Sequence, residues 1–218
     1  SAIRKLESHF NQCLEYDFVK GFVVGTRPDC LSPGLFDLWT RVHQKSFVSI
    51  ELGVQSFFDD QLAFLRRGHT AQDSLKAITQ IRNRTPVDLG IHLIFGLPNE
   101  TSEHILETAK IVSSLPVNHV KLHNLHVLKH THLEELYRQG KFTPIEKEPY
   151  AEKVALFLAH LRPDIAVQRL AAYAPREVEC VAPMWTADKM ATHQFLVDYL
   201  NEKKVHQGQA YRDESLSS

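Results

Sequence analysis

Apolar and polar positions alternate strictly along residues 48–55. The apolar members of this run are Val48, Ile50, Leu52 and Val54. A period of two is typical of a strand whose two faces meet different surroundings. The pattern then passes through an acidic pair at 59–60 into a short helix predicted over 61–67, with Gly68 as the stop signal. The segment therefore predicts a strand followed by a returning helix, with polar side chains at the carboxyl end of the strand.

The same two periods recur along the rest of the chain. Strands are predicted over residues 18–27, 48–55, 88–96 and 119–127, with one more over 165–170. Helices are predicted over residues 3–16, 33–45, 71–84, 102–115, 132–139, 149–161 and 186–203. Regular alternation of strands and helices favours a parallel sheet in an α/β protein. We therefore predict a partial TIM-type (β/α) barrel over residues 1–205, with a mixed C-terminal extension, and a loose tail over 206–218.

Polar side chains are expected inside this barrel, because the inward face of each parallel strand lines the lumen. The alternation places six of them inward near the carboxyl ends of four strands: Arg27, Glu51, Gln55, His92, Lys121 and His123. Such groups cost desolvation free energy unless they pair with one another or bind a ligand. We predict a ligand-binding lumen with Arg27, Glu51, Lys121 and His123 as candidates for contact with substrate. An internal hydrogen-bond network, with Lys121 paired to Glu51, is the alternative.

The charge balance narrows the function classes. The chain carries 25 basic and 26 acidic residues, so no overall field selects a nucleic acid or an anionic membrane. The sequence contains no apolar run long enough for a transmembrane helix. Its cysteines, Cys13, Cys30 and Cys180, are widely spaced and form neither a disulfide framework nor a CxxC metal motif. We therefore predict a protein of the reducing cytoplasm, with no membrane partner.

Five histidines between residues 119 and 132 raise the question of a metal site. His123 and His126 would point to opposite faces of a strand, which is unsuitable for chelation. No carboxylate lies among these histidines at ligand spacing, so the sequence predicts no metal site here.

Five motifs in order connect the chain with a known family. They are GTRPDC (25–30), ELGVQS (51–56), RRGHT (66–70), IFGLPNE (94–100) and KLHNLHVLKHT (121–131), and APMW (182–185) follows them. Together they resemble the radical S-adenosylmethionine (SAM) superfamily. The resemblance is to the branch with oxygen-independent coproporphyrinogen oxidases and the Elongator catalytic subunit, and within it to the bacterial YhcC-like family. It implies a six-stranded partial barrel in an oxidoreductase that forms a 5′-deoxyadenosyl radical from SAM at a [4Fe-4S] cluster.

The resemblance also implies roles for individual residues. Gln55 matches the glutamine that reaches the ribose and methionyl region of SAM, and Arg67 matches the arginine that meets the carboxylate. His92 stands where the porphyrinogen enzymes have an aspartate for the ribose, and Gly25 where they have a glutamate, whose contact would then be lost or moved to Arg27 or Asp29. The adenosine contacts are implied for four further residues: Gly96, Leu97, Pro98 and His126.

The CxxxCxxC motif that defines the superfamily is absent from this sequence. Three thiolates on one short loop are needed to hold three irons of one cubane, and the widely spaced cysteines of this chain cannot supply them. We therefore expect that the chain lacks the first two βα units of its barrel, together with the cluster loop. On this expectation the fragment itself binds no cluster and catalyses no radical chemistry.

Two other functions are compatible with the same residues. A non-catalytic α/β domain could hold a small anionic ligand with Arg27, Arg67 and Lys121. The other hypothesis is a tRNA-modifying radical SAM enzyme, although the near-neutral charge does not favour a nucleic-acid partner. The small-molecule substrate is not defined by the sequence. A barrel without its first strands would expose a sheet edge, which predicts self-association.

Overall fold

The fold is that of a computed structural model, which describes residues 2–173 and 179–212 of the 218-residue chain. The helices are α1 (Ala2–Leu14), α2 (Pro33–His43), α3 (Asp59–Phe64), α4 (Ala71–Arg84), α5 (Ser102–Ser114), α6 (His132–Arg138), α7 (Lys147–His160) and α8 (Lys189–Glu202). The strands are β1 (Gly21–Thr26), β2 (Phe47–Gln55), β3 (Asp88–Phe95), β4 (His119–Asn124), β5 (Val127–Leu128), β6 (Ala166–Arg169) and β7 (Cys180–Ala182). Short 3-10 helices cover Pro28–Cys30 and Met184–Thr186.

The strands form a parallel five-stranded sheet in the order β1-β2-β3-β4-β6. β1 pairs with β2 in parallel, and this register sets Gly25 opposite Glu51. A separate antiparallel pair joins β5 to β7. The predicted α/β class with parallel strands is therefore confirmed. Over the described part of the chain the sheet is open, with β1 and β6 at its edges, and does not close into a barrel.

The chain divides into two compact units. The first comprises Ser1–His92 and Leu115–His119, and the second comprises Leu93–Ser114 and Val120–Ser218. The core of the first unit is formed by β2 with side chains of α2 and α4, among them the fully buried Trp39, Ile50, Leu52, Ile78 and Ile81. In the second unit α5 lies against α7, and Tyr150, Val154 and Phe157 are fully buried.

Helix α3 begins and ends earlier than the predicted 61–67. Its first turn contains the acidic pair at 59–60, where carboxylates stabilise the positive end of the helix. Arg66 has φ of +52°, and its N–H donates to Ala63 O at 3.0 Å, while Arg67 N–H donates to Leu62 O at 3.0 Å. These two bonds form a Schellman motif around a left-handed residue. The helix therefore stops before Gly68, and the reversal at Arg66 sets the direction of Arg67.

Strand β4 is also shorter than the predicted 119–127. It ends at Asn124, whose side-chain Oδ1 accepts a hydrogen bond from Ala172 N–H at 3.1 Å. Leu125 N–H then donates to Phe95 O at 3.1 Å, and the chain turns into the separate strand β5. His126 thus lies in the connection between two strands. His123 and His126 therefore do not lie on opposite faces of one strand, and that prediction is wrong.

Helix α8 starts at Lys189 and not at residue 186. A 3-10 turn occupies Met184–Thr186, and the Asp188 carboxylate caps the helix by accepting from Ala191 N–H at 2.9 Å. None of the helices in the described ranges is both long and apolar enough to cross a membrane.

The end of the described chain is attached to α7, unlike the loose tail that the sequence predicts from residue 206. Gly208 N–H donates to Leu158 O at 3.0 Å and Ala210 N–H to Ala159 O at 2.8 Å. The Gln207 amide donates to Arg162 O at 2.8 Å and to Ile165 O at 2.7 Å. The loose-tail prediction is therefore wrong for 207–210, and its part over 213–218 lies outside the described residues.

A buried polar cluster joins the amino ends of β2, β3 and β4. Ser49 Oγ donates to Asp88 Oδ2 at 2.7 Å, and His119 Nε2 lies 2.8 Å from the same oxygen. The ring of His119 packs on Gly90, where an added Cβ would lie 1.9 Å from Cε1. Because His119 Nε2 faces a carboxylate oxygen, it donates a proton and cannot act as a base for Ser49. We read the cluster as structural.

Candidate cofactor-binding site

Strand β2 ends in a sharp turn at Gln55. This residue has φ of +70°, and Ser56 N–H donates across it to Val54 O at 2.9 Å. A three-residue turn with positive φ is a γ-turn, which is rare for residues other than glycine. Ser56 Oγ accepts from Phe58 N–H at 3.1 Å and donates to Gln61 Oε1 at 2.6 Å. The hydrogen bonds of Ser56 therefore fix the backbone directly after Gln55, at the point where the Gln55 side chain leaves the strand.

Gln55 and Arg67 meet above Gly53. An added Cβ at Gly53 would lie 2.8 Å from Gln55 Nε2 and 3.3 Å from Arg67 Nη2. Arg67 Nη2 donates to Gly53 O at 3.1 Å. Arg67 Nε is buried and has no hydrogen-bond partner among the described residues. The absence of a side chain at Gly53 thus creates a cradle in which an amide and a guanidinium lie side by side.

The cradle has an electrostatic preference for an anion. Burial, and then the positive charge of Arg27, lower the pKa of Arg67. A guanidinium that is half-buried with an unpaired N–H gains from a carboxylate, which can accept two parallel hydrogen bonds. Gln55 and Arg67, which the sequence predicts separately as contacts to SAM, therefore lie next to each other in the first unit. Gly53, the residue that makes room for both, was not among the sequence-predicted site residues.

Arg27 is bound to Asp29 beside this cradle. Arg27 Nε donates to Asp29 Oδ1 at 3.0 Å, and Nη2 makes a second contact with Oδ2. The guanidinium of Arg27 lowers the pKa of the Asp29 carboxyl. Gly68 packs next to the pair, since its added Cβ would lie 3.1 Å from Asp29 Oδ2. A charged pair thus borders the cradle on the side of Arg67.

Glu51 and His92 form a second pair in the first unit. Glu51 Oε2 lies 2.9 Å from His92 Nε2, and Glu51 is buried. A ribose hydroxyl would have to compete with this carboxylate for Nε2. The Glu51 contact therefore argues against the ribose contact implied for His92. Gly25, opposite Glu51 in the register, is exposed, and an added Cβ there would have no neighbour within 4 Å. Packing therefore does not require glycine at position 25.

In the second unit the turn at Gly96 is fixed from within. Gly96 has φ of +86°, and an added Cβ would lie 2.5 Å from Ile145 Cγ2. Its N–H donates to Glu100 Oε2 at 2.8 Å. Lys153 Nζ lies 3.2 Å from that carboxylate oxygen and donates to Glu100 O at 2.8 Å. Burial raises the pKa of Glu100, opposed by Gly96 N–H and Lys153. Neither Glu100 nor Lys153 was among the site residues predicted from the sequence.

The remaining predicted residues of the second unit lie on this turn, on β4 and directly after β4. Leu97 is buried and Pro98 is half-buried, directly after Gly96. His126 Nε2 lies 3.3 Å from Asn124 Nδ2 and 3.2 Å from Thr186 Oγ1, and burial lowers its pKa. Lys121 and His123 are half-buried on β4, where they alternate with buried residues. The adenosine contacts implied for Gly96, Leu97, Pro98 and His126 stay predictions.

The cysteines do not form a cluster site. Cys13 and Cys30 are exposed, and Cys180 is half-buried. Among the residues that the structure describes, no group of three or more His, Cys, Asp or Glu side chains is arranged to hold a metal ion. The thiols of this chain therefore do not fit a [4Fe-4S] cluster.

These features define an α/β protein in which an amide and a guanidinium lie together at the carboxyl end of a parallel strand. The sequence family described as the Radical SAM superfamily matches residues 4–112, and the radical SAM C-terminal domain matches residues 117–202. The chain belongs to the radical SAM superfamily.

Several relatives share most of the chain. Uncharacterized protein MJ0486 of Methanocaldococcus jannaschii is 35% identical over 205 residues, which are 94% of this chain and 63% of that protein. Protein YhcC of Escherichia coli is 31% identical over 209 residues, which are 95% of this chain and 67% of that protein. The chain therefore spans about two thirds of the length of these relatives.

A solved structure has a similar fold. The archaeal Methanocaldococcus infernus Elp3 with an N-terminal deletion superposes with a TM-score of 0.70 at 20% identity. The match covers 85% of this chain and 42% of that one. At this identity the likeness shows the fold alone, and it agrees with a partial (β/α) barrel of the radical SAM type.

Proposed function

We propose that this chain forms the SAM-binding part of a radical SAM oxidoreductase. In this family a [4Fe-4S] cluster, when bound, supplies the electron that cleaves SAM to a 5′-deoxyadenosyl radical, which abstracts hydrogen from a substrate. The part that this chain contributes is binding. Arg67 would receive the methionyl carboxylate, and Gln55 would donate from its amide to the ribose and methionyl region.

The observation that carries the proposal is the cradle at Gly53. A guanidinium whose buried Nε–H has no partner among the described residues lies within reach of the same point at the end of β2 as a side-chain amide. Carboxylates prefer a planar fork donor of this kind, and the amide adds a donor for a hydroxyl or a carboxylate oxygen. The donor set thus fits the amino-acid end of SAM.

The thiolates of the cluster belong, on this proposal, to residues outside the 218-residue sequence. The support is the placement of Cys13, Cys30 and Cys180, which does not bring three thiols to one loop. The chain by itself would then bind SAM but release no 5′-deoxyadenosine. A cytoplasmic location, where thiolates stay reduced, is part of the same proposal. The encoding gene, read on both sides of these residues, should contain CxxxCxxC, and its absence would contradict this part.

Binding of S-adenosylhomocysteine to the chain tests the cradle directly. This compound keeps the carboxylate and ribose of SAM and is chemically stable. We expect Arg67→Ala to weaken binding by about 10- to 100-fold in calorimetry, because hydrogen bonds to charged groups contribute about 1.5–3 kcal/mol. Methylthioadenosine, which lacks the carboxylate, should bind the wild type and the Arg67→Ala variant equally.

The control is the neighbouring arginine. Arg66 is exposed and has φ of +52°, so Arg66→Gly removes the same charge at a position that glycine adopts without strain. Arg66→Gly should leave the affinity for S-adenosylhomocysteine unchanged. If Arg67→Ala and Arg66→Gly lost the same affinity, the effect of Arg67 would come from its charge alone. That result would contradict a direct contact of Arg67 with the carboxylate.

A further inference from the structure

The γ-turn at Gln55 has a backbone conformation that is unusual for a residue with a side chain. A positive φ in a residue with a side chain is unfavourable unless the surroundings enforce it. Across the turn, the Val54 carbonyl accepts from Ser56 N–H at 2.9 Å. A second donor to Val54 O would fix the turn, and such a donor exists.

That donor is His69, from the RRGHT segment that follows α3. Its side chain is 0% exposed, and its Nε2 lies 3.2 Å from Val54 O. A carbonyl oxygen can only accept, so His69 Nε2 carries the proton in this contact. The Val54 carbonyl thus uses both lone pairs, one for Ser56 N–H and one for the imidazole.

The imidazole makes no competing hydrogen bond with the described residues. His69 Nδ1 is buried without a partner there, and the carboxylate of Asp29 that faces it is 4.0 Å away, beyond hydrogen-bond distance. The backbone on both sides of the ring is fixed, because Gly68 packs on Asp29 and Thr70 caps α4 in a capping box with Asp73. The directional contact of the ring is therefore the one to the γ-turn.

We propose that His69 is a positioning residue for cofactor binding, which acts by holding the Gln55 turn through Val54 O. The inference rests on the proposed function, because it assumes that Gln55 contacts SAM. His69 itself is shielded from any ligand by its complete burial. Its contribution passes through the backbone and not through a contact with the cofactor.

Two substitutions separate this role from simple packing. The side-chain nitrogen of glutamine can occupy the place of Nε2, so His69→Gln keeps a donor for Val54 O. The side chain of asparagine is too short for its nitrogen to reach Val54 O. His69→Asn therefore removes that donor and keeps a polar side chain. His119→Asn is the control, since it removes a second buried imidazole from the same unit at the amino ends of the strands.

Three measurements on the chain define the outcome. The imidazole ¹H–¹⁵N spectrum should show His69 with the proton on Nε2. Amide exchange at Ser56 should be about tenfold faster in His69→Asn, as expected for one lost hydrogen bond, and close to the wild-type rate in His69→Gln. The affinity for S-adenosylhomocysteine should fall by about tenfold in His69→Asn, and His69→Gln should restore most of it. His119→Asn should lower the melting temperature without a selective change at Ser56.

The results distinguish the failure of this inference from failure of the proposed function. If the wild type binds the nucleoside and His69→Asn binds it equally well, the positioning role is wrong although the function stands. If the wild type does not bind, the proposed function fails, and a positioning role toward the cofactor fails with it; Ser56 exchange then shows only whether His69 holds the turn. A proton on Nδ1, or equal exchange in the Asn and Gln variants, would overturn the inference outright.

Discussion

The position of the Arg67 side chain depends on the absence of a side chain at Gly53. Its guanidinium lies over Gly53 beside the Gln55 amide, and any side chain at position 53 would collide with one of them. The two polar residues could be predicted from their motif. The glycine that admits them could not, because the space above a backbone atom has no signature in a linear sequence.

His126 gives a prediction of pH dependence at the same scale. Burial lowers its pKa below the ordinary value of 6.5, so the folded state disfavours the protonated ring. The stabilising contribution of the neutral ring is complete above pH 6.5 and is lost as the pH falls below that value, since the unfolded chain binds the proton first. We expect the free energy of unfolding of the wild type to fall relative to that of His126→Gln as the pH is lowered through about 6.5.

Urea denaturation at several pH values measures this difference. The His126→Gln profile lacks one titrating group and should be flatter over this range. Parallel profiles for the two proteins would show that His126 is protonated equally in the folded and unfolded chains.

At the scale of elements, alternation and helical periodicity predicted the strands of the five-stranded sheet and the helices, but they missed the strand β7 and joined β5 to β4. Their ends were predicted less well, because tertiary hydrogen bonds set them. Helix α3 ends where Arg66 turns left-handed, and β4 ends where Asn124 binds Ala172. Lys153, which binds the turn at Glu100 from a distant helix, could not be found from spacing at all.

The packing of His119 on Gly90 leads to a prediction about the strand starts. An added methyl group at Gly90 would overlap the buried ring, so we expect Gly90→Ala to destabilise the protein by about 2–3 kcal/mol. The same substitution in a His119→Ala background should cost much less, because the ring is gone. Urea denaturation of the four proteins gives the coupling free energy.

Gly34 offers a matched comparison for that experiment. A Cβ there would make only ordinary contact with Ile3, 3.5 Å away, so Gly34→Ala should show no coupling with His119. An equal cost of Gly90→Ala in both backgrounds would contradict the packing of the ring on the glycine.

At the scale of the whole molecule, the open edge of β1 predicts self-association. Val23 on this strand is 63% exposed, and Phe18, just before it, is 79% exposed. Apolar edge strands offer unpaired backbone groups to a second chain, and charged side chains on them prevent this pairing. We expect Val23→Lys to reduce a concentration-dependent increase in sedimentation coefficient.

Met190 on α8 provides the control for surface hydrophobicity. It is 72% exposed, and Met190→Lys changes the same property away from the sheet edge. Sedimentation velocity of the three proteins over a range of concentrations decides the matter. A wild type that remains monomeric throughout would contradict association through β1.

The Schellman turn after α3 has a consequence for how this site can vary. One residue inserted into that helix would rotate everything after it by about 100°, which would carry the arginine away from the amide. Length changes among related chains should therefore be excluded from the stretch between Gln55 and Arg67 and tolerated on either side. Transfer of the site to another protein would require the whole stretch, because its length determines whether the side chains at its two ends meet.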